Sequence, residues 1–194
     1  MRKLMVGVAV LGLALIANGK DAGVGAGDKA PEFSLESHEG KTVKLSDYKD
    51  KIVVLEWTNP GCPIVQRHYK AKTMSTLYDK YSEKGVVWLA INSTNDASND
   101  TNKEWVKEQS IKYPVLNDAS GKVGHAYGAK TTPHMFVVGK DGTILFDGGI
   151  DDDKSGKKDK RTNYVEKALD EILSGKKVST PHADTYGCSV KFKS

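Results

Sequence analysis

The run Asn59-Pro60-Gly61-Cys62-Pro63 puts a nucleophile where chain geometry can activate it. Pro60-Gly61 turns the chain, and Pro63 suits the first position of a helix, where its missing N–H would have no partner anyway. Cys62 is therefore expected at a helix N-terminus. Unpaired backbone N–H groups and the helix dipole stabilise an anion there, lowering a cysteine pKa from about 8.5 into a range of roughly 3.5 to 7.5. The thiolate is the reactive form. The competing reading, an inert cysteine buried at a packed corner, leaves the turn before it and the proline after it without a purpose.

The second of the two cysteines, Cys188, follows 126 positions later in Thr185-Tyr186-Gly187-Cys188-Ser189. Three readings of the pair stand open: a structural disulfide, a catalytic pair, or two unrelated thiols. A bond closing so long a loop would stabilise the fold by about 4 to 5 kcal/mol in the chain-entropy model.

The elements around Cys62 set its position. Lys51 to Trp57 is a β-branched, largely apolar run of strand length, the pattern of a strand buried on both faces. From Pro63 to about Lys84, Met74, Leu77, Tyr78 and Tyr81 recur at spacings of three and four, predicting one helix with a buried face that ends at Gly85. Val86 to Ile91 reads as a second buried strand, so strand, helix and strand imply a parallel pair with a right-handed crossover. Upstream, two short alternating stretches flank His38-Glu39-Gly40-Lys41 as a hairpin.

Further along, Asn92 to Asn102 is expected to be a loop too polar to pack, leading into a short helix with Trp105, Val106 and Gln109. Met135–Val138 and Thr143–Gly148 form strands joined by a turn at Asp141-Gly142. Asp151 to Arg161 mixes both charge signs densely and reads as a solvated loop, with a carboxylate metal site as its alternative. Asn163 and Glu166 have capping-box spacing and open a last helix through Leu169, Ile172 and Leu173, closed by Gly175.

Composition bounds the rest. With 194 residues, 38% hydrophobic and 28% charged, the chain fits one globular domain. Arg2 and Lys3 precede an apolar run, Leu4 to Ala17, that is short for a membrane span; it predicts an export signal cut near Ala17-Asn18-Gly19, with an uncleaved anchor as the alternative. The expected division is a signal peptide over 1–19, a Gly/Ala-rich linker over 20–29, a folded domain over 30–175 and a polar tail over 176–194 that carries Cys188. The mature protein would be periplasmic or secreted, without stable membrane insertion. No cysteine follows the apolar run, so lipid anchoring is not indicated. The formal net charge of +4 falls to +2 without Arg2 and Lys3, and its lysines are not clustered with aromatics as a nucleic-acid surface requires.

The strand, Asn-Pro-Gly-Cys-Pro, the helix, the segment from Glu104 to Asp152 and the opening Gly27 to Tyr48 together resemble the thioredoxin-like superfamily. They are most similar to its redoxin branch, the peroxiredoxin-like and alkyl hydroperoxide reductase/thiol-specific antioxidant proteins, over about residues 27 to 175. The resemblance implies an α/β thioredoxin-like fold: a central mixed sheet flanked by helices, with an N-terminal hairpin and a redoxin-type insertion. Cys62 matches the attacking cysteine of the family. The local second cysteine would fall at position 65, which is Val65. The Thr or Ser that peroxiredoxins place three residues before the cysteine is replaced by Asn59, with Thr58 one step earlier. Thr132-Pro133 matches the family's cis-proline, so Thr132, Pro133 and His134 are expected to border the site, His134 as a proton shuttle, a hydrogen-bond donor behind the reacting groups or simply a solvent-facing residue. Neither Arg67 nor Arg161 matches the peroxiredoxin arginine; Arg67, about 500° of helical rotation beyond Cys62, is assigned to the surface.

These residues imply an antioxidant thiol oxidoreductase, with Cys62 attacking a peroxide or a disulfide and Cys188 resolving the product. Its partners would be the oxidised substrate and a thiol electron donor, and no organic cofactor is required. A disulfide reductase or isomerase without peroxidase activity is the rival enzyme. Two readings of other classes are a Cu(I) site built from Cys62, Cys188 and His134 or His182, and a non-catalytic scaffold.

Overall fold

Val53–Trp57 (β3) is buried at every position because it lies inside a seven-stranded sheet covered on both faces. The computed structural model describes residues 23–193; the expected export signal lies outside them. Ser34–Ser37 (β1) and Thr42–Lys44 (β2) form the predicted hairpin. Next come Pro63–Lys70 (α1), Thr73–Ser82 (α2), Val87–Asn92 (β4), Asn99–Gln109 (α3), Val115–Asn117 (β5) and Lys122–Tyr127 (α4). Thr131–Thr132 (β6), His134–Val138 (β7), Ile144–Gly148 (β8), Tyr164–Leu173 (α5) and Cys188–Ser189 (β9) complete the chain.

The strand order is β2-β1-β5-β4-β3-β7-β8, with β3, β4 and β5 parallel and the outer pairs antiparallel. This is the mixed α/β sheet that the thioredoxin-like resemblance implies. Alternation along the strands divides the core in two. Val54, Trp88, Ala90, Met135 and Val137 face α1, α2, α3 and α5. Val53, Leu55, Trp57, Leu89, Ile91, Phe136 and Val138 face Phe33, Leu45 and α4.

Three expectations are corrected. The single helix from Pro63 to Lys84 is two, because Lys72 adopts a left-handed conformation at φ +56°. Tyr69 and Met74 are five residues apart and would diverge by about 140° on one continuous helix. The break re-phases the chain so that both are buried.

The segment after β4 is polar yet packed. Asn92, Ser93, Thr94 and Asn102 are buried, and hydrogen bonds replace the missing apolar contacts. Asn92 Nδ2 donates to Asn102 Oδ1 (2.9 Å), and Ser93 Oγ accepts from Trp57 Nε1 while donating to Asp118 Oδ2 (2.6 Å). α3 already begins at Asn99, capped by Ser98 and Thr101.

The acidic segment after β8 is not simply solvated, since Asp151 and Asp153 are buried. Asp153 accepts backbone N–H groups from Lys157 and Lys158 and so folds the loop around itself. The segments expected to be linker and tail also lie on the domain. Gly27 N donates to Ile144 O and Ala30 N to Gly142 O. The chain after α5 runs beside β8, with Asp147 exchanging backbone hydrogen bonds with Pro181 and Ala183. That edge strand is thereby covered.

Candidate active site

Cys62 is the N-cap of α1, with Pro63 at the first helical position. Its N–H donates to Asn59 O (2.9 Å), closing the Asn59–Cys62 turn, and its carbonyl accepts from Gln66 N (3.0 Å). Asn59 Oδ1 accepts from Gly61 N (2.7 Å), so this amide shapes the turn. Thr58 is wholly buried, its N–H given to Ile91 O. Thr58 is thus beneath the turn, and Asn59 is part of it.

The structure brings Cys188 to Cys62. Their Sγ atoms are 2.8 Å apart, both as free thiols. β9 pairs antiparallel with β6, setting Cys188 opposite Thr132, while Cys62 Sγ as a thiol donates to Thr132 O (3.1 Å). Thr132-Pro133 is cis, as expected from the resemblance. Cys62 is 1% exposed beneath this cover, and Cys188 is half-buried.

The two sulfurs differ electrostatically. Burial pushes the Cys62 thiol up, but its hydrogen bond with Cys188 and the neighbouring backbone N–H of Val65 help outweigh this and leave the pKa lowered. Burial and the neighbouring Cys62 push Cys188 up to about 11. Cys62 is therefore the more acidic of the two thiols, and Cys188 holds its proton more tightly.

His134 is buried at the start of β7 rather than turned out to solvent. It is 5% exposed, its ring lies 4.5 Å from that of Phe136, and its Nδ1 accepts from Lys130 N. Burial lowers its pKa to about 4, so it is neutral at physiological pH. It lines a cleft of about 710 Å³ with Lys130, Asp147, His182 and Phe192. His182 Nδ1 is bound to Asp147 Oδ1 at 2.6 Å. Neither histidine joins the sulfurs as a metal ligand, and among the described residues no three His, Cys, Asp or Glu side chains form a metal-binding group.

Two functional candidates escape a reading of the sequence. Glu56, six positions before Cys62 in the apolar run of β3, is wholly buried and accepts from Tyr69 Oη (2.8 Å), Trp88 Nε1 (2.9 Å) and Tyr113 Oη (3.0 Å). Burial raises its pKa despite these three donors. Tyr186, two residues before Cys188, is buried against His68 and Asp151. The signal for Glu56 is a lone carboxylate inside an apolar strand; for Tyr186 it is proximity to Cys188.

A cysteine of lowered pKa at a helix N-terminus, beside a second thiol and a cis-proline on a mixed α/β sheet, is the arrangement of a thioredoxin-like protein. Residues 26–146 match the AhpC/TSA family, and the chain belongs to it. It is 34% identical over 119 residues to the thiol-disulfide oxidoreductase ResA of Bacillus thuringiensis subsp. konkukian, covering 61% of this chain and 66% of that relative. The chain thus spans just under two thirds of that relative's length. Solved structures extend the likeness. A hypothetical protein of Sinorhizobium meliloti superposes with a TM-score of 0.81 at 27% identity, covering 89% of this chain and 97% of that one. An uncharacterized protein of Geobacillus kaustophilus gives 0.79 at 29% identity, covering 87% and 92%.

Proposed function

We propose that this protein is a thiol-disulfide oxidoreductase in which Cys62 attacks a substrate disulfide and Cys188 resolves the product. The observation that carries this is the 2.8 Å approach of two free sulfurs with oppositely shifted pKa values. The Cys62 thiolate attacks one sulfur of the substrate disulfide, forming a mixed disulfide and expelling the other as a thiolate. The Cys188 sulfur then attacks Cys62 Sγ, forming the Cys62–Cys188 disulfide and releasing the second substrate thiolate, which takes up the Cys188 proton. The substrate is reduced by two electrons and the protein oxidised by two; a thiol donor resets it. The names of the ResA relatives support disulfide exchange over the peroxidase chemistry that the sequence put first. The run from Arg2 to Ala17 supports an exported location, where protein disulfides are available as substrates.

Peroxide remains a second reading because Cys62 is 1% exposed and a small oxidant reaches it most easily. In that case Cys62 becomes a sulfenic acid and Cys188 displaces water from it. The copper and scaffold readings find no such support.

The test is to expose reduced protein separately to oxidised glutathione and to hydrogen peroxide, and to trap the products for mass spectrometry. Disulfide exchange gives a Cys62–Cys188 bond in the wild type, a glutathione adduct on Cys62 in Cys188→Ala, and no adduct in Cys62→Ser. Reaction of Cys62→Ser at the wild-type rate overturns the assignment. Oxidation of Cys62 by peroxide far faster than by glutathione disulfide moves the substrate class to peroxides.

A further inference from the structure

The chain between α5 and Cys188 is held at one buried point. Tyr186 Oη donates to Asp151 Oδ1 in a short hydrogen bond and lies 3.0 Å from His68 Nε2. A phenol has one proton, so with it given to Asp151 the His68 ring donates through Nε2–H. His68 Nδ1 is then the unprotonated nitrogen, buried and without a partner. Asp151 is fixed in turn, its Oδ1 accepting from Asp153 N (3.0 Å) and its Oδ2 lying 3.6 Å from Arg161 Nε. The Arg67 guanidinium sits 5.9 Å from the Tyr186 ring centroid and donates to Asp153 O and Lys154 O. Both arginines considered for the active site therefore serve this cluster.

The cluster is joined to the reactive sulfurs at both ends. His68 is on α1, whose N-cap is Cys62, and Tyr186 is two residues from Cys188. Gly187, between them, has φ +127°, and a Cβ there would lie 2.1 Å from Thr132 O. Fixing Tyr186 therefore leaves the chain one glycine in which to reach the β6–β9 pairing that presents Cys188.

We propose that Tyr186 is a positioning residue for the resolving step: bound by Asp151 and His68, it holds Cys188 against Cys62. It does not touch the reacting atoms. This rests on the disulfide-exchange reading above and extends it to a residue whose loss should slow closure of the protein disulfide without slowing the first attack.

The test uses the chromogenic disulfide DTNB with the full reduced protein. Attack by Cys62 releases one aromatic thiolate, and closure by Cys188 releases a second, so the two steps are read in one trace. In Tyr186→Phe, which keeps the ring and loses both hydrogen bonds, the first phase should stay within about twofold of wild type while the second slows at least tenfold. The equilibrium constant for forming the Cys62–Cys188 disulfide in glutathione buffers should fall by a similar factor. Asp151→Ala should reproduce the defect, and Asp151→Asn, which keeps an acceptor for the phenol, should restore closure. An unchanged second phase in Tyr186→Phe overturns the proposal, and so does equal slowing of both phases, which marks a general structural role. If the wild type releases one equivalent only and forms no Cys62–Cys188 disulfide, the reading of the cysteine pair fails and takes this one with it.

Discussion

Thr132 and Cys188 face each other across the β6–β9 pairing, and the Thr132 carbonyl oxygen also lies 3.1 Å from Cys62 Sγ. One backbone position therefore aligns both sulfurs, and the carboxy-terminal strand occupies an edge that would otherwise be open to another extended chain.

Gly187→Ala should break this alignment. A Cβ would meet Thr132 O and the backbone would be forced from φ +127°, so the strand should lift. Alkylation of Cys62 by a bulky maleimide should become several-fold faster than in wild type, read by mass spectrometry of peptides. Unchanged protection of Cys62 would show that the pairing survives the substitution.

Cys188→Ala removes a hydrogen-bond donor from the Cys62 thiolate. The pH midpoint of Cys62 alkylation by iodoacetamide should move upward, because a favourable contact to the charged form is lost while most of the burial remains. A midpoint at or below that of wild type would contradict the roles given to the two sulfurs.

Acid should destabilise the protein through two buried histidines. His68 and His134 are each lowered from 6.5 to about 4, chiefly by burial; Asp151 and Asp153 oppose the shift at His68 and Asp147 opposes it at His134. The folded state binds fewer protons than the unfolded chain between those values. Their contribution is present above pH 6.5 and is lost as pH falls toward 4, about 3 kcal/mol for each at full protonation. Urea denaturation across that interval should show the loss, and His134→Gln should remove its share of the slope.

Glu56 gives a slope of the opposite sign. Its folded pKa is raised above 4.5, so the stability associated with the protonated form is complete below 4.5 and is lost as pH rises through the folded value. Glu56→Gln should flatten that part of the profile. Tyr113→Phe, which deletes one donor to the carboxyl, should cost about 1 to 3 kcal/mol in denaturation experiments.

What could be read from the sequence was local. Pro63 at the start of α1, the apolar runs of β3 and β4, Asp141-Gly142 between β7 and β8 and Asn163 at the head of α5 each carry their cause within a few residues. The polar interior was hidden because its partners converge from distant segments. Glu56 is satisfied by residues 13, 32 and 57 positions away, and Tyr186 finds His68 from 118 positions away. The charge density of Asp151 to Arg161 likewise suggested solvent until Tyr186 and the backbone of the loop supplied partners for its carboxylates. The cis-proline came from family likeness, and the meeting of Cys62 with Cys188 was one of several readings that only the path of the tail could sort.

Because Cys62 and Cys188 enclose a loop of 126 positions, folding and oxidation form a thermodynamic cycle. Linking the sulfurs in the unfolded chain requires closing that loop, at an entropic cost of about 4 to 5 kcal/mol, whereas the native fold has already brought them together. Whatever preference the native state adds for the linked form must appear equally as extra resistance of the oxidised protein to denaturant. A fold that holds this pair closely is, to the same extent, an avid donor of electrons when reduced.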